Sequence, residues 1–317
     1  MRDTYQSMLT KDKSATVLVV CITPRTGGGY KVDLEGARNN VRFLSEHGVD
    51  FVMPMCGTGL VYDATLEEFE AVVGAFMDAA SDSGMMVVPG IGPGYGRSLE
   101  MGRIARSLGV DGVMIMPIVG PASELGVRRG LQTIAEQTAL PTILYQRRLD
   151  VMPVDQMVEL CRLDEVVGLK YAVDDIDSFE RIADGAGEDA AMVCGMAEDP
   201  CLDYLARGAV GFSSGMANFV PLISLEILRA FRSGDLAEAQ RLRQLMVPFE
   251  DFRGERGARY SGSLLHAAMD RAGLAGGPVI PFAEEVAAED QPRLDAMLEI
   301  LFAESTKLAN LRAPQPA

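Results

Sequence analysis

The 317-residue chain has no tryptophan, only 6% aromatic residues and two histidines. With rings scarce and 48% of residues apolar, the interior must be built by aliphatic packing. His47 precedes Gly48 in a helix-end pattern, and His266 sits in an apolar stretch far along the chain. That separation argues against a histidine-rich zinc site. The five cysteines, Cys21, Cys56, Cys161, Cys194 and Cys201, are odd in number and never spaced CxxC. Reduced thiols in a cytoplasmic setting are expected from such usage. The N-terminus begins with charged and polar residues and shows no apolar signal core. No run of about 20 apolar residues is present, so no membrane-spanning helix is expected. Positive charge is also short: 29 Lys and Arg against 45 Asp and Glu give a net charge of −16. Nucleic acid and anionic membranes are poor partners for such a chain. A small anionic substrate remains open, because a local cationic site can hold one.

What is present is an alternation of strand-like and helix-like segments. Apolar, β-branched runs at 15–22, 50–55, 85–89, 112–116, 141–145, 166–170, 190–194 and 209–212 read as strands. Helical periodicity fills the intervals, and Thr65 with Glu68 three residues on reads as a capping box. Eight such βα units match a (β/α)8 TIM barrel of about 250 residues. The catalytic barrel is assigned to residues 1–232. Residues 233–312, with apolar positions at helical spacing over 236–245, 260–272 and 292–308, form a C-terminal helical extension. The Pro-rich tail 313–317 is expected to fray.

One stretch stands apart. Val166-Val167-Gly168-Leu169 reads as a strand buried on both faces, yet it runs straight into Lys170. Burying an ammonium without a partner is costly, and desolvation favours the neutral amine. A neutral amine can attack a ketone and form a Schiff base. The bland alternative is a lysine that has cleared the sheet and points to water. In a barrel of this type the site lies where strands end. The neighbouring strand ends in Tyr145, and adjacent strands run about 4.8 Å apart, so Tyr145 and Lys170 share a rim. Tyr145 can carry protons to and from an imine, or it can be a barrel-end ring bonded to solvent.

Other rim residues fit a 2-oxo acid. Gly57-Thr58-Gly59 offers little-shielded N–H groups and a hydroxyl, an arrangement able to nest a carboxylate; a ligand-free tight turn is equally consistent. Arg147 and Arg148 follow Tyr145 and can make forked contacts to a second carboxylate, or lie at the surface. Ser213, Ser214 and Asn218 can bind sugar hydroxyls, while Ser214 or Asn218 can equally cap the helix that follows. The glycine-rich run from Gly90 to Gly96 lacks GxGxxG spacing and reads as a plain turn.

Cys56-Gly57-Thr58-Gly59, Pro141-Thr142-Ile143-Leu144-Tyr145 and Val167-Gly168-Leu169-Lys170, in this order and spacing, resemble the dihydrodipicolinate synthase/N-acetylneuraminate lyase family. The resemblance covers nearly the whole chain. It implies a TIM barrel with C-terminal helices, a Schiff-base lysine at Lys170, a tyrosine proton shuttle at Tyr145 and a carboxylate-binding threonine at Thr58. It also implies a homo-oligomer, tetramer or dimer, and no cofactor beyond the covalent lysine imine. Tyr145-Gln146-Arg147, Phe212-Ser213-Ser214 with Asn218-Phe219-Val220-Pro221, and Val247-Pro248-Phe249 with Asp251 and Arg253 look most similar to the branch that dehydrates 5-dehydro-4-deoxyglucarate. Three positions depart from the family pattern. Cys56 stands where the first glycine of the motif is usual. Leu60 stands where a glutamate is usual, and Met116-Pro117-Ile118-Val119 lacks the tyrosine usual just past the fourth strand.

The expected function is a lyase that acts on a pyruvate-type or sugar-derived 2-oxo acid through a lysine imine, by aldol cleavage or condensation or by dehydration. Dihydrodipicolinate synthase activity proper is a weaker alternative, because Arg148 comes too early for that enzyme's second-carboxylate arginine. A retired barrel that only binds a 2-oxo acid is the alternative of a different class. A metal-dependent lyase would need a carboxylate or histidine cluster at the strand ends, and none is evident. Activity should therefore survive exhaustive chelation. A loss on EDTA treatment that added divalent metal restores would show metal dependence.

Overall fold

A computed structural model describes residues 17–312 of the chain. The first two residues expected in strand one, Ala15 and Thr16, and the tail 313–317 lie outside the described residues. Nine strand segments follow one another: Val17–Val20 (β1), Phe51–Met53 (β2), Met86–Val87 (β3), Gly90–Ile91 (β4), Val113–Ile115 (β5), Thr142–Gln146 (β6), Val166–Tyr171 (β7), Ala191–Cys194 (β8) and Gly211–Ser214 (β9). All neighbours pair in parallel, in the order β3-β2-β1-β9-β8-β7-β6-β5-β4. The two ends of that order, β3 and β4, are consecutive pieces of one path through Val88 and Pro89. The nine segments therefore make eight barrel strands, and the fold is a (β/α)8 TIM barrel.

The split in the third barrel strand differs from the expected 85–89 strand and glycine-rich turn. Pro89 has no N–H to add to the ladder, but its carbonyl accepts from the Met114 amide at 2.9 Å. The strand then continues into Gly90–Ile91. Only glycine fits at position 90, because a Cβ there would lie 2.6 Å from the Met55 carbonyl and 3.0 Å from Cys56 Sγ.

Helices Leu34–Glu46 (α1), Leu66–Ala80 (α2), Tyr95–Leu108 (α3), Glu124–Thr138 (α4), Val154–Cys161 (α5), Ile176–Ala186 (α6), Cys201–Ala206 (α7) and Pro221–Ser233 (α8) alternate with the strands. Their starts follow local chemistry. Thr65 and Glu68 form the reciprocal capping box expected for α2, and Asp33, Ser123 and Asp175 accept amides in the first turns of α1, α4 and α6. Residues of β7 are buried throughout, as expected of a central parallel strand covered on both sides. All five cysteines are buried free thiols. Among the described residues no helix is long and apolar enough to cross a membrane.

Three further helices follow: Leu236–Ala258 (α9), Ser263–Arg271 (α10) and Gln291–Arg312 (α11). Helix α9 outruns the expected 236–245, continuing through Pro248 until its backbone breaks. Glu255 turns extended (ψ 153°), and Arg256, Gly257 and Ala258 follow with φ of 52°, 73° and 62°. Left-handed conformations at two non-glycine residues cost of order 1–2 kcal/mol each, so the surrounding contacts must hold this break in place. Beyond it, Tyr260 lies outside α10, buried, with its hydroxyl donating to Asp290 at 2.8 Å.

Asn218, expected either to bind substrate or to cap, does neither to the long helix α8. It ties β1 to the turn after β9. The Ile22 amide donates to its Oδ1 at 3.2 Å, while its Nδ2 donates to the carbonyls of Val20 and Gly215 at 2.9 and 2.7 Å. It is buried, both its amide hydrogens are used in these bonds, and it is not on the cavity wall. Asn218→Ala would strand three backbone groups and should destabilise the fold by roughly 2–5 kcal/mol. A denaturant melt shifted by less than about 1 kcal/mol would contradict this role.

Candidate active site

Tyr145 and Lys170 stand directly opposite each other in the β6–β7 register. They face a cavity of about 320 Å³ at the strand ends, with Gly57, Thr58, Arg147 and Ser213 also on its wall. Lys170 is 4% exposed, so it has not cleared the sheet into open water. Its Nζ donates to the Gly195 carbonyl at 3.1 Å and lies 3.8 Å from the centre of the Tyr145 ring. Both contacts suit a cation, and both aim the amine into the cavity. Gly195 must lack a side chain here, since a Cβ would come within 2.8 Å of the Tyr171 carbonyl and 3.0 Å of Lys170 Cγ.

The Tyr145 phenol shows two opposed influences. Burial pushes its pKa up, but the adjacent Lys170 ammonium and the charge of Arg147 outweigh burial and leave the phenol below its ordinary value. An acidified phenol beside an amine can pass a proton in either direction. Cys56, also on the wall, is no competing nucleophile. Burial pushes its thiol up to about 12, with Lys170 opposing.

The turn after β2 carries the groups expected to meet a carboxylate. Met55 and Leu60, both non-glycine, adopt positive φ of 53° and 56° and bend the chain into a tight loop. Its Gly57 and Thr58 amides find no acceptor among the described residues. Gly59 does not line the cavity, in contrast to expectation. Its carbonyl accepts from Thr23 Oγ1 at 2.8 Å, and a Cβ there would sit 3.0 Å from the Cys21 carbonyl, so its part is close backbone packing.

The two serines at the end of the eighth barrel strand, β9, separate. Ser213 is on the cavity wall. Ser214 lies off the cavity wall and does not cap α8 either, which starts without a side-chain cap. Its Oγ donates to Glu198 at 2.5 Å and accepts from the Ala217 amide at 2.8 Å. The two arginines divide likewise. Arg148 is held by Asp150 at 2.6 Å, away from the cavity. Arg147 lines the cavity and has no ion-pair partner among the described residues.

Three residues went unassigned in the sequence reading. Glu198 is fully buried below the Gly195–Ala197 loop and accepts from Ser214 and Ser224, but its Oε2 has no partner among the described residues. Burial, then the charge of Glu250, raise its pKa, favouring the neutral acid. Its signal was legible as a carboxylate just past a strand end. Glu250 and Arg253 come from α9 and line the cavity with Ala258 and Ser261. Helical periodicity alone gives no hint that this part of the extension reaches the barrel mouth. Among the described residues no cluster of three or more His, Cys, Asp or Glu side chains is placed to hold a metal ion.

Comparison with known proteins agrees with this geometry. Residues 13–301 match the model of the dihydrodipicolinate synthetase family. A probable 5-dehydro-4-deoxyglucarate dehydratase 1 of Streptomyces coelicolor is 36% identical over 84% of this chain and 87% of its own length. A probable 5-dehydro-4-deoxyglucarate dehydratase of Bacillus licheniformis is 31% identical over 80% and 85%. The crystal structure of dihydrodipicolinate synthase from Oceanobacillus iheyensis superposes with a TM-score of 0.88 at 28% identity, covering 94% of this chain and 99% of that one. A sialic acid aldolase of Ruminococcus gnavus, at 16% identity and a TM-score of 0.83 over 92% and 96%, shares the fold.

The opposed influences on Tyr145 have a spectroscopic consequence. Tyr145 should ionise below the ordinary phenol value of about 10, whereas burial pushes Tyr62 and Tyr204 up to about 12. Tyrosinate absorbance should therefore contain one early step that Tyr145→Phe removes. Because the Arg147 charge favours the phenolate, Arg147→Gln should move that step to higher pH. An early step that survives Tyr145→Phe would assign it elsewhere.

Proposed function

The chain belongs to the dihydrodipicolinate synthetase family, and from that premise we propose that this lyase works by forming an imine between Lys170 and a 2-oxo acid. The observation that carries the reading is the buried amine of Lys170, fixed between the Gly195 carbonyl and the Tyr145 ring. The Gly57 and Thr58 amides and the Thr58 hydroxyl receive the substrate's carboxylate. Attack by the amine on the adjacent ketone, with loss of water, gives the imine. Tyr145 relays the protons this addition and loss require.

The named relatives support a sugar-derived substrate. 5-Dehydro-4-deoxyglucarate is a six-carbon diacid with a ketone beside one carboxylate, a methylene next to it and a hydroxyl one carbon further. Once the ketone is an imine, the methylene loses a proton to the Tyr145 phenolate and an enamine forms. The enamine expels the hydroxyl, which takes the proton back and leaves as water. Hydrolysis then frees Lys170 and the dehydrated product. Ser213 and Arg147 are placed to meet the hydroxylated tail. With Ile118 and Val119 where the family's relay tyrosine is usual, proton traffic falls to Tyr145. Dihydrodipicolinate synthase chemistry proper has less support, since Arg148 is engaged by Asp150.

Five buried free thiols support a reducing, cytoplasmic setting. A homo-oligomer fits an apolar recess of about 820 Å³ between α3 and α4, near the exposed Tyr95, Val119 and Leu125, which a second copy would cover.

Borohydride reduction in the presence of pyruvate or a longer 2-oxo acid should leave a mass-shifted peptide containing Lys170. Tyr145→Phe should still be trapped, slowly, while its turnover falls roughly 10²–10⁴-fold. An adduct on another lysine rejects the Schiff-base assignment, and the absence of any adduct favours a barrel that binds without turnover. Product analysis with a panel of 2-oxo sugar acids distinguishes pyruvate release from dehydration.

A further inference from the structure

The C-terminal extension does more than cover the barrel. We propose that Arg253, on α9, reads the second carboxylate of a 2-oxo diacid and so sets the specificity of the cavity; this rests on the Schiff-base reading of Lys170. The charge of the wall motivates it. In a chain of net charge −16, the cavity presents three cationic side chains, Lys170, Arg147 and Arg253, against one carboxylate, Glu250. With Arg147 and Arg253 set against the one carboxylate, the positive excess in a partly enclosed space favours an anionic ligand. The Gly57–Thr58 turn accounts for the carboxylate next to the ketone and leaves the far one to be placed.

Arg253 has the donors to place it. A guanidinium carries five N–H groups. Nε donates to the Ser261 carbonyl at 3.0 Å, and Nη1 to both Glu250 oxygens at 2.9 and 2.8 Å. The two hydrogens of Nη2 have no acceptor among the described residues. Those anchors hold a side chain only 13% exposed, so little rotamer freedom is left to lose on binding. The backbone break at 255–258 brings Ser261 round to take Nε. Glycine at 215 keeps the approach clear, since a Cβ there would stand 3.2 Å from Nη1 and 3.5 Å from Nη2. Arg147, by contrast, is exposed and unanchored, and it serves the mouth.

Borohydride trapping on Lys170 tests this with two six-carbon acids that differ only at the far end, 2-oxoadipate and 2-oxohexanoate. The wild-type chain should reach half-maximal trapping at roughly 10–100-fold lower concentration of the diacid, as expected of a charge-assisted pair. Arg253→Gln should bring the two acids to within about twofold, a ratio below what one such bond contributes. Arg253→Lys, which keeps the charge but loses the fork, should fall between, and it decides the question if the Gln variant melts below the assay temperature. Arg147→Gln should retain the diacid preference. No preference in the wild type, or a wild-type preference in either Arg253 variant, overturns the assignment while leaving the imine intact. No adduct with either acid overturns the Schiff-base reading, and this assignment with it.

Discussion

Everything at the mouth of this barrel depends on one buried amine. Lys170 closes a strand whose other residues are buried and mostly apolar, and an unpaired charge there would be prohibitively costly. The protein meets that cost with two contacts of different kinds, a carbonyl from the loop after β8 and the face of the ring on β6. Neither is a carboxylate. A carbonyl and a ring face fix the position of the amine at the cavity wall without occupying it with a carboxylate. The same proximity acidifies Tyr145 against the effect of its burial. The buried amine and the acidified phenol are thus made by a single juxtaposition, and that juxtaposition is set by parallel register.

The next layer serves to hold that geometry. Gly195 must be glycine for its carbonyl to approach Lys170. The loop it begins runs through Ala197, at φ 59°, to Glu198, which is buried and bonded to Ser214 and Ser224. The carboxyl of Glu198 therefore joins the β8 loop to β9 and α8. Its raised pKa favours the neutral acid, which lessens repulsion with Glu250 on the cavity wall. Asn218 does comparable work on the other side of β9, satisfying backbone groups of β1 and of the following turn. Of the three polar residues at and just past the end of β9, Ser214 and Asn218 are thus committed to architecture, leaving Ser213 on the wall.

Chain-wide charge and site charge have opposite signs here. A strongly acidic surface repels polyanions such as nucleic acid, while the cavity gathers three cations against one carboxylate. The extension supplies part of this local field. Its strained break after α9 places Ala258 and Ser261 over the strand ends beside Arg253. Barrel and extension therefore share one cavity, although they divide cleanly along the sequence.

Local chemistry was enough to read the eight βα units, the capping box at Thr65, the buried strand ending in Lys170 and its pairing with Tyr145. Strand period, cap residues and strand-end position act over a few residues, and neighbouring strands of a barrel follow chain order. The role of Gly90 as strand, the withdrawal of Ser214, Asn218 and Gly59 from the wall, and the division between Arg147 and Arg148 were decided only by tertiary structure. Most depend on which partner arrives from elsewhere in the chain: Met55 against Gly90, Glu198 against Ser214, β1 against Asn218; Arg148 instead is held by Asp150, two residues on. Arg253 is the extreme case. Its stretch carried a family resemblance but no role, and only the turn of the backbone at 255–258, with Ser261 and Glu250 gripping the guanidinium, brings it to the cavity that holds Lys170.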